Sequence, residues 1–499
     1  MKHEKIAEAL NELSDRHIEE AAQGMGKKKS WWAGPIAAVL AVALIVGAVA
    51  GSGILTPPET PDQTSPTQAT TSNPGTIGHG NKNAMLSSRV ATPEYPTMVQ
   101  FPGETAPSED WGAWRDSFYA IRNQPDGYAD SLNAFFDTFL QAMAADEGEN
   151  LVCSPVNVYM ALAMLAQVTD GESQQQILDL LGSMNMAALR DQAHKVWNAH
   201  YVDDGLSTSV LANSLWLDDS LSYKDETAQL LAKEFYASVF HGDLSSEEMA
   251  GAIQSWLSEQ TGGLLDEQIA QESLDPRTVL ALASTIYYQV QWKERFLEQN
   301  TSEGLFHGTQ GKQLIPFLHD ELTYGPYYWS DNFGAVAKHL EDGSTALMIL
   351  PDEGVTPEAL LRSGEVMEFL RQDPDKEEFP NKKTLIVNLA LPRFDVANQT
   401  KLNDVLQDLG VTDVFTPGKA DFTGILAEAD DGWVDTVSHA ARLMVSEVGV
   451  TGAAYTLITY CGAAMPPENE IDFILDRPFI FFVESSDGLP LFVSVINHV

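Results

Sequence analysis

Residues 446–464 read SEVGVTGAAYTLITYCGAA, and the interpretation of that stretch decides the rest of the chain. It carries one charged residue, Glu447, and is rich in Gly, Ala and Thr. A strand pattern ends near Val445 and another begins near Ile471, so the stretch occupies the place of a connection about 25 residues long. Connections of that length inside a compact domain are usually functional or disordered, and this one lacks a disordered composition. From Val450 onward, every second residue (Val450, Gly452, Ala454, Thr456, Ile458) is small or apolar. That alternation gives one face fit for burial in a sheet. The stretch is a strand by pattern and a loop by position. An ordinary hydrophobic edge strand is the competing reading.

Outward from it, strand patterns dominate the C-terminal third: Thr345–Leu350, Leu385–Leu391 and a hairpin over Phe479–Val495 turned at Asp487-Gly488. Upstream, Leu132, Phe135, Phe136, Phe139, Leu140 and Met143 follow the three/four spacing of a helix over 131–143. Helical patterns continue to about residue 300, with hydrophobic strands such as Leu280–Tyr288 among them. No internal repeat and no second linker interrupts this region. The expectation is one α+β domain over 111–499.

The N-terminal part differs in composition. Lys27-Lys28-Lys29 precedes an uncharged run from Trp31 to Leu55. Its last part, Ile36–Leu55, would span about 30 Å as a helix, the thickness of a bilayer core. Trp31 and Trp32 suit an interface, and the lysines favour a cytoplasmic N-terminus. The expected organisation is a cytoplasmic segment (1–30), a transmembrane signal-anchor (31–55) and an exported remainder at the cell surface. Cleavage near Ala50, giving a secreted protein, is the alternative. Residues 56–75 hold six Thr, five Pro and two Ser. Proline stiffens such a linker to roughly 3.1 Å per residue. The tract 56–110 is read as this linker plus a transitional stretch.

Acids outnumber bases 71 to 29, a net charge of −42. Residues 1–30 are balanced, so the excess lies in the exported part. That charge repels phosphate backbones and excludes nucleic acid as a partner. Two cysteines, Cys153 and Cys461, exclude a disulfide-rich scaffold; both are read as free thiols. No nucleophile elbow, phosphate-cradling loop or His-Glu-x-x-His motif occurs, and no metal or cofactor is expected. His439 lies in an apolar strand-like stretch and reads by default as a hydrogen-bonded core histidine. An enzyme is not indicated.

Several motifs in order make the chain resemble a serpin over about residues 128–499. They are Asn150-Leu-Val-Cys-Ser154-Pro155-Val-Asn157 with Ala161-Leu-Ala-Met164-Leu165; Ile253-Gln-Ser-Trp256 with Thr261-Gly-Gly263; and Ile286-Tyr-Tyr through Trp292. Further on come Leu391-Pro-Arg-Phe394, Thr412-Asp-Val-Phe415, Gly418-Lys-Ala-Asp-Phe422, His439-Ala-Ala441, Glu447-Val-Gly449 and Asp476-Arg-Pro-Phe479. The resemblance implies a serpin-like α+β fold with three β-sheets, surrounding helices and an exposed reactive-centre loop. It implies a suicide substrate for serine proteases, whose cleaved loop inserts into the main sheet and traps the acyl-enzyme. A non-inhibitory serpin-like binding or structural protein is the alternative. The hinge would be Glu447, Gly449, Val450, Thr451, Gly452, Ala453 and Ala454. The sheet-opening region would be Ser154, Asn157, Ser284, Trp292 and His439. Ser284 stands where the family usually has Asn, and Asn157 where it usually has a second serine.

The count from Glu447 that inhibitory members imply places the reactive bond between Ala463 and Ala464. A count back from Asp476 favours Ala464 and Met465. No Lys or Arg lies between Val450 and Asp476, so a trypsin-like pocket has nothing to pair. Shallow pockets of elastase- or subtilisin-like proteases suit alanine.

Overall fold

The computed structural model describes residues 88–103, 105–144, 148–269, 278, 280–372, 379–428, 432–450, 467 and 469–499. The aromatic stripe that predicts a helix over 131–143 is buried as expected. Phe135, Phe136, Phe139, Leu140 and Met143 all leave solvent on the helix Asn133–Met143, after a single 3-10 turn at Asp130–Leu132. Ser154 starts the next helix, Pro155–Val168. Its hydroxyl accepts the Asn157 N–H, and Pro155 fills a position whose N–H needs no partner. Almost every residue of that helix is buried, as befits a central helix apolar on all sides.

Two sheets form around it among the described residues. The first has eight strands, in the order β1 (Arg89–Ala91), β5 (Ala237–Gly242), β4 (Thr208–Asp218), β6 (Leu280–Gln291), β14 (Gly449–Val450), β13 (Ser438–Val445) and β12 (Phe394–Lys401), with β3 (Val202–Asp203) beside β4. One face packs on the central helix. The other carries the helix Glu247–Gln260, whose Met249, Ala252 and Trp256 join Ala212, Trp216 and Phe240 in a separate small core. β1 lies inside the tract read as linker and transition, and pairs antiparallel with β5.

The second sheet has nine strands: β15 (Glu470–Ile474), β11 (Lys382–Pro392), β8 (Gly311–Trp329), β9 (Phe333–His339), β10 (Thr345–Pro351), β16 (Phe479–Glu484), β17 (Pro490–Ile496) and β2 (Leu151–Cys153), with β7 (Ser302–Gly308) beside β8. Here the expected three sheets are corrected to two hydrogen-bonded sheets among the described residues. β8 is nineteen residues long; it pairs with β7 and β11 along its length and with β9 at Tyr327–Trp329, so two of the expected sheets run into one another. The β16–β17 hairpin turns where the sequence places it. Gly488 takes φ +84°, a conformation that favours glycine.

No helix among the described residues is long and apolar enough to cross a membrane. The segment 31–55, for which that role is expected, lies outside them.

Candidate functional site

The stretch 446–464 begins inside the first sheet. After β13, a tight turn closes with Ser446 N–H donating to the Gly449 carbonyl at 3.1 Å. Gly449 and Val450 then enter as β14 between β6 and β13, with Gly449 opposite Gln291 and Val450 opposite both Val290 and Val445. β6 and β13 pair with each other nowhere among the described residues. A Cβ at Gly449 would stand 2.3 Å from the Val290 carbonyl oxygen. Glycine is therefore required there by the close approach of two backbones.

Three successive carbonyls fix the turn from outside. Trp292 Nε1 donates to Ser446 O at 2.9 Å. Phe296 N–H donates to Glu447 O at 3.1 Å, and Trp292 N–H to Val448 O at 3.0 Å. The Glu447 carboxylate accepts from Thr301 Oγ1 at 2.9 Å and faces Arg393 at 3.8 Å. Lys338, 4% exposed, is paired with Asp320 and lies 4.7 Å from the centre of the Phe296 ring.

Beneath the sheet, Ser154, Asn157, Ser284 and His439 come together from segments far apart in sequence. Ser154 N–H donates to His439 Nε2 at 3.1 Å. Asn157 Nδ2 donates to Ser284 Oγ at 2.7 Å, and Ser284 Oγ to Asn213 Oδ1 at 2.7 Å. Asn213 in turn donates to the Phe235 carbonyl. His439, 6% exposed, is pushed down to about 4 by loss of solvent. It is the hydrogen-bonded core histidine expected from its apolar strand. Cys153 is a buried free thiol whose burial raises it to about 12, so it is not nucleophilic.

Trp292 does not join this group; it holds the Ser446–Gly449 turn. Asn213 was missed by sequence reasoning, although an Asn inside the apolar run Val210–Leu217 was a usable signal. Of the expected hinge, Glu447, Gly449 and Val450 are described. Thr451, Gly452, Ala453 and Ala454 lie outside the described residues, as do Ala463, Ala464, Met465 and Cys461. Among the described residues no group of three or more metal-ligating side chains converges.

A profile of the family described as Serpin (serine protease inhibitor) matches residues 130–499. The chain is a serpin. Serpins are a family of protease inhibitors, with non-inhibitory members among them, and are not enzymes. This serpin is 26% identical to human antithrombin-III over 405 residues, covering 78% of the chain and 86% of that protein. It is 28% identical to plasminogen activator inhibitor 1 of Bos taurus over 387 residues, covering 75% and 93%. In fold it is similar to the thermophilic serpin tengpin in its native state, with a TM-score of 0.66 and 24% identity over 76% of this chain and 95% of that one. The profile begins at residue 130, so β1 and the helix Ser108–Arg122 of this serpin lie outside it.

Proposed function

We propose that this serpin traps serine proteases as a suicide substrate. The protease serine attacks the carbonyl carbon of Ala463, the Ala463–Ala464 bond breaks, and Ala464 leaves as a free amine. The acylated loop then enters the first sheet before water releases the protease. The observation that supports this most is β14: the loop already starts as a strand between β6 and β13. Continuing its antiparallel register would set Gly452 opposite Tyr288 and Leu443, Ala454 opposite Ile286 and Ala441, and Thr456 opposite Ser284 and His439. The inward-facing set is then the small or apolar one. The hydroxyl of Thr456 would reach the level of the polar cluster under the sheet, where it could be hydrogen-bonded. The reach from Gly449 to Ala463 is about 46 Å at ~3.3 Å per residue.

Elastase- or subtilisin-like enzymes are the proposed targets, because alanine fits a shallow pocket. Incubation with a panel of serine proteases should give a denaturant-resistant covalent complex with these and not with trypsin-like ones. The released N-terminus should begin at Ala464, or at Met465 on the second count. A cut outside Cys461–Pro466 rejects both positions. Clean cleavage by every enzyme, without a complex, selects the non-inhibitory alternative.

We further propose that residues 31–55 anchor the protein, with 1–30 inside and the serpin domain displayed outside. Protease shaving of intact cells should then release a fragment starting within 56–110. A domain protected until lysis reverses the orientation, and a domain already free in the medium selects cleavage near Ala50.

A further inference from the structure

Arg442 stands on the outer face of β13, opposite the side that carries His439. Its Nε and Nη2 donate to the two carboxylate oxygens of Asp395 on β12 at 2.7 and 2.6 Å. Its remaining arm, Nη1, leaves the sheet and donates to the Leu264 carbonyl at 3.0 Å. Leu264 belongs to the turn that follows the helix Glu247–Gln260. The same turn rests on β6: a Cβ on Gly262 would stand 2.7 Å from the Tyr287 ring, so glycine and ring are in direct contact. One turn thus touches β6 at Tyr287 and is tied to β13 at Arg442.

Those two contacts flank one level of the sheet. Stepping forward from Val450 in the antiparallel register of β14, the third residue falls opposite Tyr287 on one side and Arg442 on the other. A strand entering between β6 and β13 must run under the turn at that level, and its side chain there points outward, at the turn. Ala453, with a single methyl group, is the residue that arrives. The turn must lift, or the arginine must let go, for it to pass.

We propose that Arg442 is a latch on loop insertion: by holding the Leu264 carbonyl across the track, it sets how fast the strand enters. The latch rests on the suicide-substrate reading and adds a positioning residue to it. Its chemistry suits the task. A charge-assisted bond to a backbone carbonyl is strong enough to slow a step by roughly ten-fold or more when it must break. Its donor is also held in place by the two-pronged Asp395 pair, so it does not swing away unaided.

The test uses the full chain and the variants Arg442→Ala, Arg442→Lys and Asp395→Ala. Two rates are read: spontaneous conversion on warming to a form that no longer traps protease, and the number of inhibitor molecules consumed per protease trapped. Arg442→Ala should convert about ten-fold faster and consume fewer molecules per trap. Arg442→Lys, which cannot fork to both partners, should fall between. Asp395→Ala, which removes the pair that steadies the arginine but leaves the Leu264 carbonyl within its reach, should speed conversion by less than Arg442→Ala does, by about three-fold or less. The melting point of the loop-cleaved form should be the same for Arg442→Ala as for the wild type. If Arg442→Ala converts at the wild-type rate or slower, or destabilises native and cleaved forms equally, the residue is structural and the latch is wrong. If the wild type gains no heat resistance when its loop is nicked, the insertion reading itself fails and the latch falls with it.

Discussion

Ala454→Glu should leave the loop cleavable and abolish trapping. In the proposed inserted state, which continues the register of β14, residue 454 would face the core between Ile286 and Ala441. Ala441 is 4% exposed, and Ile286 packs against the core. A carboxylate brought there has no partner, and burying one costs several kcal/mol. Insertion would slow while hydrolysis of the acyl-enzyme would not, so the ratio of complex to cleaved inhibitor should drop roughly 100-fold. Gly452→Pro should act in the same direction by removing a ladder donor between Tyr288 and Leu443. Both are read on a denaturing gel after reaction with an inhibited protease. Undiminished complex with Ala454→Glu would show that the loop enters in another register or not at all.

Acidification should weaken the native fold through His439 by about 3 kcal/mol between pH 6.5 and 4. The ring accepts the Ser154 N–H through Nε2, so it is held neutral, and burial keeps the proton off down to about pH 4. An unfolded chain takes up that proton near pH 6.5. Between the two values the unfolded state binds more protons. The stabilisation is therefore complete above about 6.5 and disappears as the pH falls to about 4. The thermal midpoint should decline over that window, and His439→Gln, which can still accept a hydrogen bond, should flatten the decline. Parallel pH profiles for the two proteins would refute the assignment.

Much of the fold is local and was legible. The Phe135–Met143 stripe, the Asp487-Gly488 turn and the runs around Leu280, Thr345 and Leu385 each carry a period or a turn signal that packing then obeys. What escaped is what has no local signature. β1 is three residues long, and the helix Ser108–Arg122 buries none of its residues, so it shows no fully apolar stripe. β8 contains Pro316 and Pro326, which argue against a long strand. It runs through both, and thereby merges two sheets. The site divides in the same way. The small-residue alternation from Val450 was visible in the chain alone. The meeting of Ser154, Asn157, Ser284 and His439 came only with the family resemblance, because nothing short-range links residues so far apart. The Arg442–Leu264 bond was invisible, since a side chain reaching a backbone carbonyl leaves no mark on composition.

The order of strands in the second sheet has a consequence for how the protein is made. β16 and β17 lie between β10 and β2, and Val493 pairs with Cys153. These two strands therefore leave the ribosome to fill a slot whose far wall, β2, emerged nearly the whole domain earlier. At about 5–20 residues per second that interval lasts on the order of tens of seconds. Throughout it the nascent chain presents the unpaired edge of β2, joined by that of β10 once Pro351 has emerged, each a template for a wrong partner. A chain that stops short of Pro490 keeps the β2 edge open for good, because it lacks the fully buried strand that pairs with β16 on one side and β2 on the other.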